Sequence, residues 1–167
     1  KVEWVWCDLA ILSCAAVANG IYPTDSAEQV AYLCTDSNTS ILFVEDDEQL
    51  DKALAVRDQL PMLKKIVVFD MEGLSDLDDP QIISLDELRQ LGQAHAQAHP
   101  NALNERIASV QPDDLAILIY TSGTTGKPKG AMHTQGALAY VAHGYNSVLT
   151  QDDQDERMCI LPLCHVA

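Results

Sequence analysis

Tyr120-Thr121-Ser122-Gly123-Thr124-Thr125-Gly126-Lys127-Pro128-Lys129-Gly130 gathers four Thr and Ser hydroxyls, three glycines and two lysines into eleven residues. Phosphate suits such a mixture. Glycines let backbone N–H groups turn toward an anion, hydroxyls donate further hydrogen bonds, and ammonium groups supply charge. Lys127 and Lys129 are the only Lys or Arg side chains between Arg106 and Arg157, so the positive charge of this stretch sits in one loop. The loop is not a Walker A sequence, because G-x-x-x-x-G-K-[ST] needs Gly at position 121 and Ser or Thr at 128, where Thr121 and Pro128 stand. Nor is it G-x-G-x-x-G. A simple P-loop ATPase and a dinucleotide dehydrogenase are both disfavoured. The bland alternative is a Gly/Thr surface loop without function; an apolar strand directly before it, the density of hydroxyls and the paired lysines argue against that.

Other chemistry-bearing residues are weaker candidates. His95 and His99 stand one helical turn apart, but His95-Ala96-Gln97-Ala98-His99 lacks the Glu that a zinc hydrolase places after its first histidine, so a polar helix face is expected. No metal-ligating set is expected in the chain. His133 reads equally as a strand-end residue or a neighbour of a ligand. Trp4 and Trp6 read as packing residues. The acidic runs at 45–51 and 70–88 read as solvated faces, since they lack the spacing of a calcium loop.

The elements that must position the loop follow from periodicity and breakers. Residues 4–19 are apolar nearly all round, which predicts a buried helix with Gly20 as its left-handed cap. Asp25 and Glu28 are spaced to open a second helix carrying Ala27, Val30, Ala31 and Cys34 on one face. A short buried strand is expected at 41–44. A third helix follows, from Asp46 and Asp47 to about Leu60, with Pro61 closing it, then a strand at 66–69. Ser84 and Glu87 form a capping box for a helix reaching about Ala98, stopped by Pro100. A weaker helix at 103–110 precedes the Pro112-Asp113-Asp114 turn and a fully buried strand at 115–120. Beyond the loop, Leu138, Val141, Ala142, Tyr145 and Leu149 line a last helix, and 158–163 reads as a final strand. Strands alternating with helices argue for an α/β fold, a parallel or mixed sheet with flanking helices.

Composition narrows the class further. The 167 residues are 47% hydrophobic and 21% charged, ordinary globular usage that is neither disordered nor fibrous. Ten Lys and Arg against 25 Asp and Glu leave a net charge of −15, which repels nucleic acid and anionic headgroups, so no nucleic-acid partner is expected. The longest apolar run, 9–18, is about half of what a bilayer span requires. No transmembrane segment is expected. Cys7, Cys14, Cys34, Cys159 and Cys164 form no CxxC pair and read as small buried hydrophobes with free thiols, which points to a cytoplasmic location. The chain opens among Trp4, Trp6 and Leu9 and stops in an apolar run, so a fragment cut at both ends is expected, with exposed apolar surface that favours a homodimer or a swapped assembly.

Taken together, Tyr120 to Gly130 resembles the phosphate-binding signature of the adenylate-forming superfamily, which includes acyl-CoA synthetases, aryl-CoA ligases, luciferases and the adenylation domains of peptide synthetases. Gly20-Ile21-Tyr22-Pro23-Thr24, Glu28-Gln29, Tyr32 and the strand at 41–44 resemble the region upstream of that signature in long-chain fatty acid-CoA ligases. Leu161-Pro162-Leu163-Cys164-His165-Val166 resembles the next family motif. The resemblance covers nearly the whole chain and is strongest over 115–136.

That resemblance implies that residues 1–167 are part of the large N-terminal AMP-binding domain of such an enzyme. These enzymes join a carboxylate to ATP, release pyrophosphate, and pass the acyl group from the acyl-adenylate to coenzyme A. Thr121, Ser122, Thr124 and Thr125, with the backbone around Gly123 and Gly126, would grip the β- and γ-phosphates, and Lys127 and Lys129 would add charge. His165 would stand by the carboxylate or gate the thiol's path. Mg2+ is expected with the nucleotide, its protein carboxylate lying in a motif downstream of Ala167. The adenine and ribose motifs, the hinge and the C-terminal domain with its catalytic lysine are also expected beyond Ala167, so the chain alone is expected not to complete adenylation. A long-chain fatty acid is the favoured substrate class, and a peripheral membrane contact of the full protein stays open. The alternatives are an aryl-acid or amino-acid adenylating enzyme and a non-catalytic nucleotide-binding module.

Overall fold

A computed structural model describes residues 1–121, 126–149 and 152–156. In chain order its elements are α1 (Val2–Ser13), β1 (Ala18–Asn19), α2 (Ala27–Asp36), β2 (Ile41–Val44) and α3 (Asp47–Val56), which tightens into a 3-10 turn at Arg57–Gln59. Then come β3 (Lys65–Val68), β4 (Ile82–Ser84), α4 (Leu85–Ala98), α5 (Ala102–Ser109), β5 (Leu115–Thr121), β6 (Lys129–Thr134) and α6 (Gln135–Val148). They fall into two compact units, one of Ile21–Ala102 with Lys1, the other of Val2–Gly20 with Leu103–Ala167. Among the described residues each unit holds a three-stranded sheet and flanking helices, so the α/β class read from the sequence is the class observed.

The first unit is built on a parallel sheet in the order β2-β3-β4. Ile66, Val67 and Val68 of central β3 are fully buried, as expected of a β-branched run covered on both faces. Leu50, Ala53 and Val56 of α3 recur at helical spacing and join Val30, Ala31 and Cys34 of α2 in one core. The α2 cap lies one residue later than Asp25 and Glu28 suggested: Ser26 is the cap and Gln29 completes the box. Asp25 is otherwise engaged, its carboxylate accepting the Tyr22 N–H at 3.1 Å. The third helix stops at Val56 rather than near Leu60 because its last turn tightens ahead of Pro61, which has no N–H to offer. Ser84 and Glu87 make the capping box as read.

The acidic run 70–88 is only partly a surface excursion, since it contains β4 and the first turn of α4. Arg57 pairs with Asp79, and this guanidinium, with the Gln81 N–H, holds the Asp79 carboxyl below the usual carboxylate range.

The second unit has a mixed sheet in the order β1-β5-β6, with β1 parallel and β6 antiparallel to β5. Here the expected helix over 4–19 is corrected. α1 ends at Ser13, whose hydroxyl bonds back to the Leu9 carbonyl at 2.7 Å, and the left-handed residue is Ala15 (φ 55°), not Gly20. Ala18 and Asn19 then pair with Ile117 and Leu118 as a strand. Nor is α1 buried: Val2, Trp6 and Leu9 are exposed, because a helix apolar all round offers more surface than this unit covers. β5 was expected to be fully buried, yet only Ala116 is; a neighbour as short as β1 shields little of it. The strand expected at 158–163 lies outside the described residues.

Among the described residues no helix is long and apolar enough to cross a membrane.

Candidate phosphate-binding site

The Gly/Thr-rich loop closes an antiparallel hairpin. β5 runs out to Thr121, β6 returns from Lys129, and these two residues stand directly opposite each other as the last pair of the ladder. One step below, Tyr120 faces Gly130, then Ile119 faces Ala131. Side chains alternate along a strand, so Thr121 and Lys129 share one face of the sheet while Tyr120 and Gly130 share the other. Thr121, Gly126, Lys127 and Lys129 are all exposed. Gly126 adopts φ +109°, a backbone that side chains rarely take, so a glycine is required there for the chain to turn. The lysines differ in footing: Lys129 is carried on a paired strand, Lys127 on the loop itself.

The far end of the hairpin is anchored just as specifically. Thr134 ends β6 and caps α6, its hydroxyl accepting the Ala137 N–H at 3.2 Å. The next two amides reach the turn that leads into β5: Gln135 N–H donates to the Asp114 carbonyl at 2.9 Å and Gly136 N–H to the Pro112 carbonyl at 2.8 Å. A Cβ on Gly136 would lie 2.9 Å from that same Pro112 oxygen, so only glycine permits the approach. The start of β5, the end of β6 and the start of α6 are thereby tied to one another.

Of the residues singled out in the sequence, the structure places Thr121 and Lys129 opposite each other, with Gly126 and Lys127 in the connection between them. Ser122, Gly123, Thr124, Thr125 and His165 lie outside the described residues. His95 and His99 do approach, with ring centroids 4.8 Å apart on the exposed end of α4, but no group of three or more His, Cys, Asp or Glu that could hold a metal occurs among the described residues. Cys34 is buried, and burial pushes its thiol above the ordinary range, as suits an inert packing residue. Cys7 is half-buried and Cys14 exposed, so the expectation of buried thiols holds for Cys34 alone of these three; Cys14 and Cys34 are free thiols.

β6 was not read from the sequence. Lys129-Gly130-Ala131-Met132-His133-Thr134 has little β-propensity and is a strand because it pairs with β5. The same pairing supplies the unforeseen contact of Tyr120 with Gly130.

Comparison with known proteins decides the family. Residues 1–167 match the family described as AMP-binding enzyme. The chain belongs to the AMP-binding enzyme family. Among relatives of this AMP-binding chain, a long-chain-fatty-acid-CoA ligase of Mycobacterium bovis is 36% identical over 170 residues, covering 99% of the chain and 26% of the relative. A long-chain-fatty-acid-CoA ligase of Xenopus laevis is 35% identical over 171 residues, covering 100% of the chain and 22% of the relative. The chain thus spans about a quarter of the length of these curated relatives. Among solved structures, an anthranilate CoA ligase in complex with anthranoyl-AMP matches with TM-score 0.64 and 25% identity, over 87% of this chain and 26% of that one.

In this AMP-binding family member, the described residues of the candidate loop, Thr121, Gly126, Lys127 and Lys129, lie on the hairpin and its connection. The N-terminal domain of FACL13 from Mycobacterium tuberculosis matches with TM-score 0.61 and 23% identity, over 100% of this chain and 37% of that one, a likeness of fold. For the Mg2+ expected with the nucleotide, the described residues supply no group of three or more His, Cys, Asp or Glu side chains that could hold it.

Proposed function

We propose that this chain carries the pyrophosphate-gripping part of an ATP-dependent acyl-CoA ligase, in which a carboxylic acid becomes an acyl-adenylate and then passes to coenzyme A. The observation that carries the reading is the hairpin, which pairs Thr121 with Lys129 at its end and places the left-handed Gly126 in the connection between them. A carboxylate must approach a triphosphate of the same sign, and the site's task is to spread that charge and hold the leaving group in line. The hydroxyls of Thr121, Ser122, Thr124 and Thr125 and the N–H groups around Gly123 and Gly126 donate to the β- and γ-phosphate oxygens. Lys127 and Lys129 neutralise the charge that grows on the departing pyrophosphate. Since Lys129 rides on a paired strand, its backbone is in place before the nucleotide arrives and only the side chain has to reach the phosphate. His165 stands by the carboxylate or along the thiol's path.

The reading extends to the whole protein. Residues 1–167 form part of its N-terminal AMP-binding domain, so the isolated chain binds phosphate but does not complete adenylation. A long-chain fatty acid is the substrate class, supported by the names of the relatives above. A cytoplasmic setting is supported by the free thiols of Cys14 and Cys34. A homodimer of the isolated chain is supported by Trp6 and Leu9 on α1 and by Tyr140, Val141, Tyr145 and Val148 on α6, all exposed. Light scattering of the chain at high concentration should give the mass of a dimer or larger; a clean monomer contradicts that point.

The substrate experiment is ATP-pyrophosphate exchange by the full-length protein with hexadecanoate, acetate, an aryl acid and an amino acid in turn. Exchange with hexadecanoate alone is expected. Exchange driven by the aryl or amino acid moves the enzyme to the alternative substrate class, and none with any acid returns the loop to a phosphate site without catalysis.

A further inference from the structure

Gly130 poses a question that its backbone does not answer. Its φ is not in the left-handed region, unlike those of Gly73 and Gly126, so no turn explains a glycine here. What a side chain would meet does explain it: a Cβ on Gly130 would lie 3.2 Å from Cζ, 3.4 Å from Oη and 3.5 Å from Cε1 of Tyr120. The phenol ring therefore lies across bare backbone on the opposite strand. Among the described residues β6 is an edge strand, with Lys129 and Met132 exposed, so few side chains hold it to β5. An aromatic ring laid over a cross-strand glycine compensates for the side chain the glycine lacks and fixes that pair.

The fixed pair is the one directly below Thr121 and Lys129. We propose that Tyr120 is a positioning residue for the phosphate site: by covering Gly130 it locks the final rungs of the hairpin and so holds Thr121 opposite Lys129, where both can address one phosphate. The inference rests on the reading of this loop as the site of the nucleotide's phosphates. It adds a residue that touches no substrate but sets the spacing of two that do. The cover over Gly130 is chiefly the ring, so Phe should keep it.

The test combines a measurement that needs no ligand with one that does. Amide hydrogen exchange at Thr121 and Lys129 should quicken by about fivefold or more in Tyr120→Ala, and stay near the unaltered rate in Tyr120→Phe. Tripolyphosphate affinity, measured by calorimetry, should fall by about the same factor in Tyr120→Ala and recover in Tyr120→Phe. In the full-length protein KM for ATP should rise while KM for the carboxylate holds, a split that general loss of structure does not produce. Should Tyr120→Ala not fold, Gly130→Ala, which pushes the ring aside, must give the same pattern with Tyr120 retained. Exchange at Thr121 and Lys129 that ignores these substitutions overturns the proposal. So does tripolyphosphate binding by Tyr120→Ala as tight as by the unaltered chain. If the unaltered chain binds no tripolyphosphate, the phosphate-site reading itself fails and takes the proposal with it.

Discussion

Replacing Thr125 and Lys127 together by Ala should lower carboxylate-dependent pyrophosphate exchange in the full-length protein by at least about 10³-fold, because removal of a single preorganised donor at a developing anion costs about 10²–10³-fold. The two side chains do different work. Thr125 offers a hydroxyl hydrogen bond, whereas Lys127 offers a full charge on the connection beside the left-handed Gly126. Lys127 is exposed, so its removal should leave the thermal midpoint nearly unchanged. The separation of activity from stability is the informative part. A double variant that keeps exchange within tenfold of the unaltered protein (about 1.4 kcal/mol in the barrier) would show that the loop only closes the hairpin, as in the binding-module alternative.

Gly136→Ala should destabilise the second unit by about 1–3 kcal/mol, the usual cost of forcing an atom into packed structure. The direction is diagnostic, because Gly→Ala inside a helix ordinarily stabilises by roughly 0.5–1 kcal/mol. At Gly136 the added Cβ would sit 2.9 Å from the Pro112 carbonyl oxygen, which is backbone and also accepts the Gly136 N–H, so relief requires that hydrogen bond to lengthen. Gly144 in the same helix supplies the control: nothing lies within 4 Å of its would-be Cβ, so Gly144→Ala should stabilise by about 0.5–1 kcal/mol. Urea denaturation of both variants reads the difference. Equal and stabilising effects would mean that the Pro112 turn does not anchor α6, and with it the hairpin.

Much of the first unit is legible from local sequence, and the reason is visible residue by residue. Ser84 and Glu87 carry a capping signal that needs no tertiary context, and the Ile66-Val67-Val68 run declares a buried strand by β-branching alone. β1 and β4 are too short for any periodicity to announce them; they exist because Ala18 and Asn19 find Ile117 and Leu118, and Ile82 and Ile83 find Ile66 and Val67. The first helix fails differently, because a segment apolar on every side fixes neither its end nor its buried face, and local bonding at Ser13 and Ala15 decided where it stopped.

At the site the division is similar. Hydroxyls, glycines and lysines reveal their chemistry through residue type, and the loop can be read as a phosphate cradle before any fold is known. Which of them face each other is a matter of register. That Thr121 meets Lys129, that Tyr120 covers Gly130 and that Gly136 must be bare against Pro112 are facts of pairing and approach between residues whose identities alone do not signal it.

The most direct test of the central claim, that this chain grips the terminal phosphates of a nucleotide, is calorimetric titration of the 167-residue chain with ATP, tripolyphosphate, ADP, AMP and adenosine. If the loop donates charge-assisted hydrogen bonds to the β- and γ-phosphates, ATP and tripolyphosphate should bind alike, and each phosphate removed should weaken binding on the order of tenfold, leaving adenosine unbound. Adenosine or AMP binding as tightly as ATP, with tripolyphosphate silent, would contradict the account.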